Sequence, residues 1–502
     1  MSAVLTVAEV SRSFGGVRAL HNVSLAVEQG AVHCLVGENG SGKSTLTKII
    51  AGVLSADAGT VAMAGHEPRS GVNPGLAIRE GISVIYQDLA LFPNLTVAEN
   101  IAPCERTASL TPHWRWRSSA KRAAAAALEE LGSAISPTTV VERLPTAERQ
   151  LVAIARAMTR RPRMILMDEP TAALTHQEID RLLALVRRLR DEHSMSFMFI
   201  SHKLNEVLEL ADSVTVLRNG VVASEGPAAD YTIERLSNDM TGRTISSARP
   251  TKAPTGREPR LTVTGLCVKG AVEDISFEAA EGEVIGIGGL LGSGRTELAL
   301  SLCGLLKSSE GSVEIDGVAL RPGHFQDAIK RGIAYVPEDR LTEGLFLDRS
   351  IRDNAAAAVA SEHTSRLGAL NRSALHATAE HWLGQLHVKT PDYNDAVNTL
   401  SGGNQQRVVL SKWLARRPRL LILNGPTVGV DVGSRHDIHE TIRHLAKDGT
   451  TVIIASDDLP ELLAVAHRVL VLSSGQLRHD ILTGDLTVQA LWEAISADSA
   501  LS

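Results

Sequence analysis

Cysteine is scarce in this chain and never paired. Cys34, Cys104, Cys267 and Cys303 stand far apart with no C-x-x-C among them, which argues against zinc or disulfide roles and leaves buried reduced thiols as the expectation. Long apolar runs are missing too: no stretch approaches the ~20 residues that a membrane span needs. Met1 to Val10 has no basic region followed by an apolar core, so no secretory signal is read there, and a soluble, cytoplasmic chain is expected. Basic excess is also absent. The formal charge of −6 gives no electrostatic footprint for nucleic acid, and no nucleic-acid partner is expected. Aromatic residues make up only 3 % of the chain. One local concentration, His113-Trp114-Arg115-Trp116-Arg117, could stack bases between arginines. It reads instead as the amphipathic lead-in to a helix from Ser118 to Leu131.

What the chain does have is length and a phosphate loop. Its 502 residues exceed what one hydrophobic core serves, so two or more domains are expected. Gly37-Glu38-Asn39-Gly40-Ser41-Gly42-Lys43-Ser44-Thr45 matches G-x-x-x-x-G-K-[ST], between the apolar run Val32 to Val36 and a helix-favouring segment from Leu46 to Ala51. Glycines at 37, 40 and 42 let backbone N–H groups converge on phosphate oxygens, and the following helix adds partial positive charge. Lys43 can neutralise the β- and γ-phosphates, while the Ser44 hydroxyl can ligate Mg²⁺. The stretch reads as a nucleoside triphosphate site.

The chain then repeats itself. Gly52-Val53-Leu54, Gly59-Thr60-Val61 and Gly65 recur as Gly304-Leu305-Leu306, Gly311-Ser312-Val313 and Gly317, about 250 residues later. Leu91-Phe92 and Asn100 recur as Leu345-Phe346 and Asn354, and Pro170-Thr171 as Pro426-Thr427, always in the same order. Two copies of one domain account for this: 1–240 and 260–502, joined by a proline-broken linker at 241–259. In each copy short β-branched runs alternate with helical stretches, the pattern of an α/β fold with a mainly parallel sheet. Expected strands include Met164 to Met167 and Met198 to Ile200, with counterparts Leu420 to Leu423 and Thr451 to Ala455. Alanine-rich runs such as Ala120 to Leu131 indicate a helical subdomain between the phosphate loop and these strands.

Several polar residues fall at strand ends, where ligand crevices form in open α/β sheets. Asp168 is placed to hold Mg²⁺ through its water shell, and Glu169 to polarise an attacking water. Gln87 and His202 occupy two further strand ends.

Gln87, Asp168-Glu169, His202 and above all Leu400-Ser401-Gly402-Gly403-Asn404-Gln405-Gln406 resemble the motif set of the ATP-binding-cassette (ABC) ATPases. The resemblance covers residues 4 to 490, twice over. It implies two tandem P-loop cassettes that use ATP and Mg²⁺, with Ser44, Gln87 and Asp168 at the metal and Glu169 and His202 catalytic. It also implies that the signature Ser401 to Gln405 completes a site on the opposite cassette. Against that pattern the second copy departs: Arg295 replaces the loop lysine, Asn424-Gly425 the acidic pair, Asp457 the histidine and Glu338 the glutamine. In the first copy the signature is altered, reading Leu144-Pro145-Thr146-Ala147-Glu148-Arg149-Gln150, and Pro145 offers neither hydroxyl nor N–H. Pro145 is expected as a first helical residue, with a helix from Ala147 to Met158 surviving. If family geometry holds, every departure falls in one composite site, which leaves one hydrolytic site and one degenerate site.

The two fused cassettes, the arginine-bearing second loop, Val336-Pro337-Glu338-Asp339-Arg340 and Gly429-Val430-Asp431 further resemble the ATP-binding subunits of monosaccharide importers of ribose, xylose, galactose and autoinducer type. That resemblance implies two transmembrane permease subunits, an extracytoplasmic sugar-binding protein, and a peripheral place on the cytoplasmic face of the inner membrane. The coupling contacts are expected around Asp88 to Asn100 and after Glu338. The alternative is a soluble tandem-cassette ATPase acting on the ribosome. Such proteins carry a long charged helical linker and two intact acidic pairs, and this chain has neither.

Overall fold

The computed structural model describes residues 3–15, 17–63, 66–102, 113–171, 174, 176–243, 256–290, 292–365, 368–484 and 486–496; within helices, the side chains of 113–117 and 176 are not described. Cys104 and most of the expected linker lie outside these residues. The chain divides into two compact units, Met1–Ile245 and Ser246–Ser502.

In the first unit, β1 (Ala3–Phe14), β2 (Val17–Glu28) and β4 (Ala58–Met63) form an antiparallel sheet in the order β2-β1-β4. A six-stranded sheet follows the order β5-β6-β7-β3-β8-β9, from β3 (Val32–Val36), β5 (Ile82–Ile85), β6 (Met164–Asp168), β7 (Ser196–Ser201), β8 (Ser213–Arg218) and β9 (Val221–Pro227). Its strands are parallel except β9, which returns antiparallel along β8. A strand covered on both faces has no polar side to show, so β3, β6 and β7 read as continuous apolar runs. Between the two sheets lies the helix Lys43–Ile50. It buries Leu46, Ile49 and Ile50 in one apolar cluster with residues of both sheets, among them Leu20 and Val23 of β2 and Met164 and Leu166 of β6.

The second unit repeats this plan. A sheet ordered β11-β10-β13-β14 is built from β10 (Pro259–Val268), β11 (Val272–Ala280), β13 (Glu310–Ile315) and β14 (Val318–Ala319). The other, ordered β15-β16-β17-β12-β18-β19, is built from β12 (Val284–Gly288), β15 (Ile333–Val336), β16 (Leu420–Asn424), β17 (Thr451–Ala455), β18 (Arg468–Ser473) and β19 (Gln476–Leu482). The expected α/β class, mainly parallel with helices, is what each unit shows.

Local boundaries differ from the sequence reading in instructive ways. The loop helix starts at Lys43, not Leu46, because Gly42 takes φ 105° and lets the polar Lys-Ser-Thr turn be helical. The helix expected from Ser118 begins at His113 and takes in the Trp–Arg run. Pro145 stands one place before the helix Thr146–Met158, as its N-cap, and not in its first turn. The antiparallel sheets were not specified by sequence at all. Along β1 the pairing register shifts at Val7/Val10 and Val10/Arg12, so bulges break the period-two alternation that identifies a strand.

β7 carries His202 beyond its end and lies between β6 and β3. Phe199 at its centre is fully buried. Phe199→Ala should cost about 3–5 kcal/mol, and denaturant unfolding of the purified chain should show it as a lowered midpoint.

Candidate functional site

The parallel ladder sets the site. Val36 of β3 pairs with Ser201 of β7, and Asp168 of β6 pairs with Ile200. The phosphate loop, Asp168-Glu169 and His202 therefore leave the sheet side by side, and Gln87 follows β5 at the next position, solvent-exposed.

Within the loop, Lys43 is only 6 % exposed, and its Nζ donates to Gly37 O at 2.7 Å and Glu38 O at 2.8 Å. A Cβ on Gly37 would sit 2.3 Å from Leu217 O, and one on Gly42 would sit 2.6 Å from Ala19 O. The α-carbon of Gly40, at φ 81°, faces open space. Ser41 Oγ is buried without a hydrogen-bond partner. The first helical bond runs from Leu46 N–H to Gly42 O, so the amides of Lys43, Ser44 and Thr45 precede any intrahelical acceptor. A tight loop with an ammonium inside it, an unsatisfied buried hydroxyl and converging amides fits a polyphosphate. The oxygen donors Ser44, Asp168 and Gln87 suit a hard divalent cation such as Mg²⁺. Among the described residues no cluster of three His, Cys, Asp or Glu could hold a metal unaided. A cation here would depend on the phosphates for part of its coordination, as Mg²⁺ at nucleotide sites does.

Glu169 sits in the left-handed region at φ 47°, a conformation costing a non-glycine residue about 1 kcal/mol or more. Its N–H donates to Ile200 O at 2.9 Å, and its Oε1 accepts from His202 Nδ1 at 3.0 Å. That bond to His202 holds the Glu169 carboxyl below the usual range despite partial burial, so it is an anion at neutral pH. Asp168 moves the other way, pushed up by burial and by the Glu169 charge against the pull of Lys43 and Lys48. A charged base paired with an oriented imidazole can polarise a water.

A lock that sequence reasoning missed fixes this turn. Thr171 Oγ1 donates to Glu206 Oε2 at 2.6 Å, Lys203 Nζ donates to Thr171 O at 3.0 Å, and Lys203 pairs with Glu206 at 3.2 Å. Thr171 follows Glu169 and Lys203 follows His202, so the lock ties the two turns together. Its one sequence signal was that Pro170-Thr171 recurs as Pro426-Thr427. Arg156, also missed, donates to Leu89 O at 2.7 Å and Ala90 O at 2.6 Å, and these two residues are left-handed at φ 58° and 44°. It thereby anchors the segment after Gln87 to the helix that Pro145 caps.

The second unit keeps the backbone and changes the chemistry. Gly425 takes φ 54° where Glu169 is strained, and its N–H donates to Ala455 O at 2.8 Å. A Cβ there would lie 2.9 Å from Val428 Cγ2 and 3.0 Å from Glu338 Cγ. Asn424 Nδ2 turns to the Tyr335 hydroxyl at 3.5 Å. Arg295 Nη1 donates to Gly289 O at 3.0 Å, much as Lys43 does to Gly37. The Thr–Glu lock persists, with Thr427 Oγ1 on Glu461 Oε1 at 2.7 Å, and Lys412 Nζ repeats the Arg156 anchor by donating to Gly344 O at 2.5 Å.

The signature is intact here. Ser401 caps the helix Gly402–Leu414, and its Oγ accepts from Asn404 Nδ2 at 3.1 Å. A Cβ on Gly403 would lie 2.2 Å from Ser434 Oγ, and one on Gly402 2.8 Å from Arg340 Nη2. Arg340 donates to Val428 O at 2.7 Å and to Gln405 Oε1 at 3.4 Å, bracing Gln405 from outside the motif. In the first unit Thr146 and Ala147 stand in the glycine places.

The turn geometry yields a separable test. Glu169→Gly removes the carboxylate and the left-handed strain together, so it should abolish ATP turnover while leaving the unfolding midpoint unchanged or raised. A lowered midpoint would show that the His202 contact outweighs the strain.

The ABC transporter family model matches residues 20–172 and 272–428. The ribose import ATP-binding protein RbsA 2 of Streptomyces avermitilis is 41 % identical over 498 residues, covering 99 % of this chain and 98 % of that protein. RbsA 1 of Streptomyces coelicolor is 41 % identical over 500 residues, covering 99 % and 98 %. A putative ribose/galactose/methyl galactoside import ATP-binding protein 3 of Agrobacterium fabrum is 39 % identical over 494 residues, covering 98 % and 97 %. With two matched cassettes and relatives alike from end to end, this chain belongs to the ABC transporter family as one of its ATP-binding proteins, an ATPase.

Proposed function

We propose that this chain is the ATP-hydrolysing subunit of an importer for a simple sugar, with one working set of catalytic groups and one degenerate set. The observation that carries the catalytic half is the contrast between two turns with the same backbone hydrogen bond: the Glu169 anion on His202 in one unit, and Gly425 with no side chain in the other. The working set comprises Gly37–Thr45, Gln87, Asp168, Glu169 and His202 with the intact signature Ser401–Gln405. The degenerate set comprises Arg295, Asn424, Gly425 and Asp457 with the altered signature at Pro145. The sugar half of the reading is supported by the near-full-length likeness to ribose and galactose import proteins.

In this mechanism the loop amides and Lys43 bind and orient the triphosphate. Ser44, Gln87 and Asp168 would hold Mg²⁺, which supplies charge neutralisation at the phosphates when bound. Glu169 draws a proton toward its carboxylate from the attacking water, and His202 keeps that carboxylate in place.

An ATPase of this kind acts on partners, here two permease subunits, a sugar-binding protein working through them, and the cytoplasmic membrane face. No described helix is long and apolar enough to cross a membrane. Support for a docking face comes from a duplicated device. Phe92 and Phe346 are 56 % and 61 % exposed, yet each backbone is clamped by a fully buried asparagine. Asn100 accepts from Phe92 N–H at 2.8 Å and donates to Phe92 O at 3.0 Å, and Asn354 does the same for Phe346 at the same two distances. Holding an exposed phenylalanine so firmly suits an anchor for a partner.

Disruption of the gene should abolish uptake of one monosaccharide among those offered as sole carbon source. The wild-type chain should restore uptake, and Glu169→Gln should restore neither uptake nor steady-state ATP turnover. Half-normal turnover by Glu169→Gln would sink the assignment of the working set. Separately, Phe92→Asp or Phe346→Asp should leave turnover of the isolated chain within about twofold while reducing sugar uptake in cells, because an interface anchor is lost and not a catalytic group.

A further inference from the structure

The cation of the second phosphate loop is already engaged by an acid. Arg295 is 7 % exposed, and its two terminal nitrogens divide between Gly289 O at 3.0 Å and Asp457 Oδ2 at 3.3 Å. In the first loop Lys43 donates to the Gly37 and Glu38 carbonyl oxygens, and the residue after β7 is His202, whose ring is turned to Glu169. Asp457 takes that place after β17, with its side chain 67 % exposed and facing the loop through the ion pair.

The loop otherwise keeps the features of a phosphate cradle. Gly294 caps the helix Arg295–Leu302 at φ 93°, Gly292 at φ 80° faces open space, and Ser293 Oγ is 96 % buried at the residue level without a hydrogen-bond partner. What has changed is the donor set for a divalent cation. Asn424 is neutral and its amide nitrogen is turned to Tyr335, so the place of Asp168 carries no charge, while Glu338 in the place of Gln87 adds a second carboxylate to that of Asp457.

We infer that Asp457 makes the second loop selective for a nucleoside diphosphate over a triphosphate. Diphosphate oxygens can use the loop amides and the Gly289 side of Arg295 while the ion pair stays closed. A third phosphate brings its charge against the Asp457 carboxylate and must compete with it for the guanidinium. The inference deepens and rests on the proposed degenerate set, to which it adds that this loop takes nucleotide.

The test uses the full chain carrying Lys43→Ala, with fluorescent ADP and ATP analogues in Mg²⁺ buffer and the further change Arg295→Ala to define background. ADP should bind at least about tenfold tighter than ATP, the scale expected of one partly screened charge contact. Adding Asp457→Asn should tighten ATP and bring the two affinities together, and Asp457→Glu should retain the preference. Equal affinities before the change, a ratio that Asp457→Asn leaves unmoved, or no Arg295-dependent binding in either protein would overturn the inference. Binding is measured and not hydrolysis, so failure here is distinct from failure of the working set, which ATP turnover by Glu169→Gln reports.

Discussion

The pairing of β3 between β7 and β8 is the constraint on which the first unit's chemistry depends. Parallel strands bring all their carboxyl ends to one edge, so groups far apart in sequence need no long-range contact of their own to meet. The phosphate loop, the acidic turn and the histidine turn inherit their spacing from the ladder. The short polar lock of Thr171, Lys203 and Glu206 then refines it. Buried polar groups of this kind are costly when half satisfied and rigid when complete, which is what a site needing sub-ångström placement requires.

The second unit shows how far chemistry can drift while that scaffold stays. Backbone hydrogen bonds at the turn after β16 reproduce those after β6, and the Thr–Glu pair survives, with His439 beside Glu461 at 3.5 Å where Lys203 stands beside Glu206. The cation that anchors the loop segment changes from Arg156 to Lys412, whose ammonium, buried without a paired acid, is pulled down to about 8. That replacement keeps the hydrogen bond to a carbonyl. The changes in chemical type fall at Arg295, Asn424, Gly425 and Asp457, the places proposed to face phosphate, metal or water.

Much of this was legible in sequence, for a physical reason. Phosphate loops, acidic pairs and signature glycines are local patterns whose residue types follow from one ligand, so Gly37–Thr45, Asp168 and Ser401–Gln405 stand out one stretch at a time. Side-chain partners in the fold do not. Thr171 with Glu206, Arg295 with Asp457, and Arg156 with Leu89 and Ala90 join residues that the chain separates widely, and no periodicity marks them. The left-handed turn at Glu169 was hidden for another reason: glycine and asparagine usually announce that conformation, and a glutamate does not. Its second-copy glycine was the clue, read as a lost base and not as a relaxed backbone.

That glycine also limits what its turn can accept. At position 425 the space a side chain would need is already occupied by Val428 and by the stem of an acidic residue, Glu338. A glutamate there would meet a crowded wall, a like charge and the left-handed strain all at once. A carboxylate at 425 would therefore need Val428 and Glu338 to change with it, so the turn resists being given a base by any one substitution.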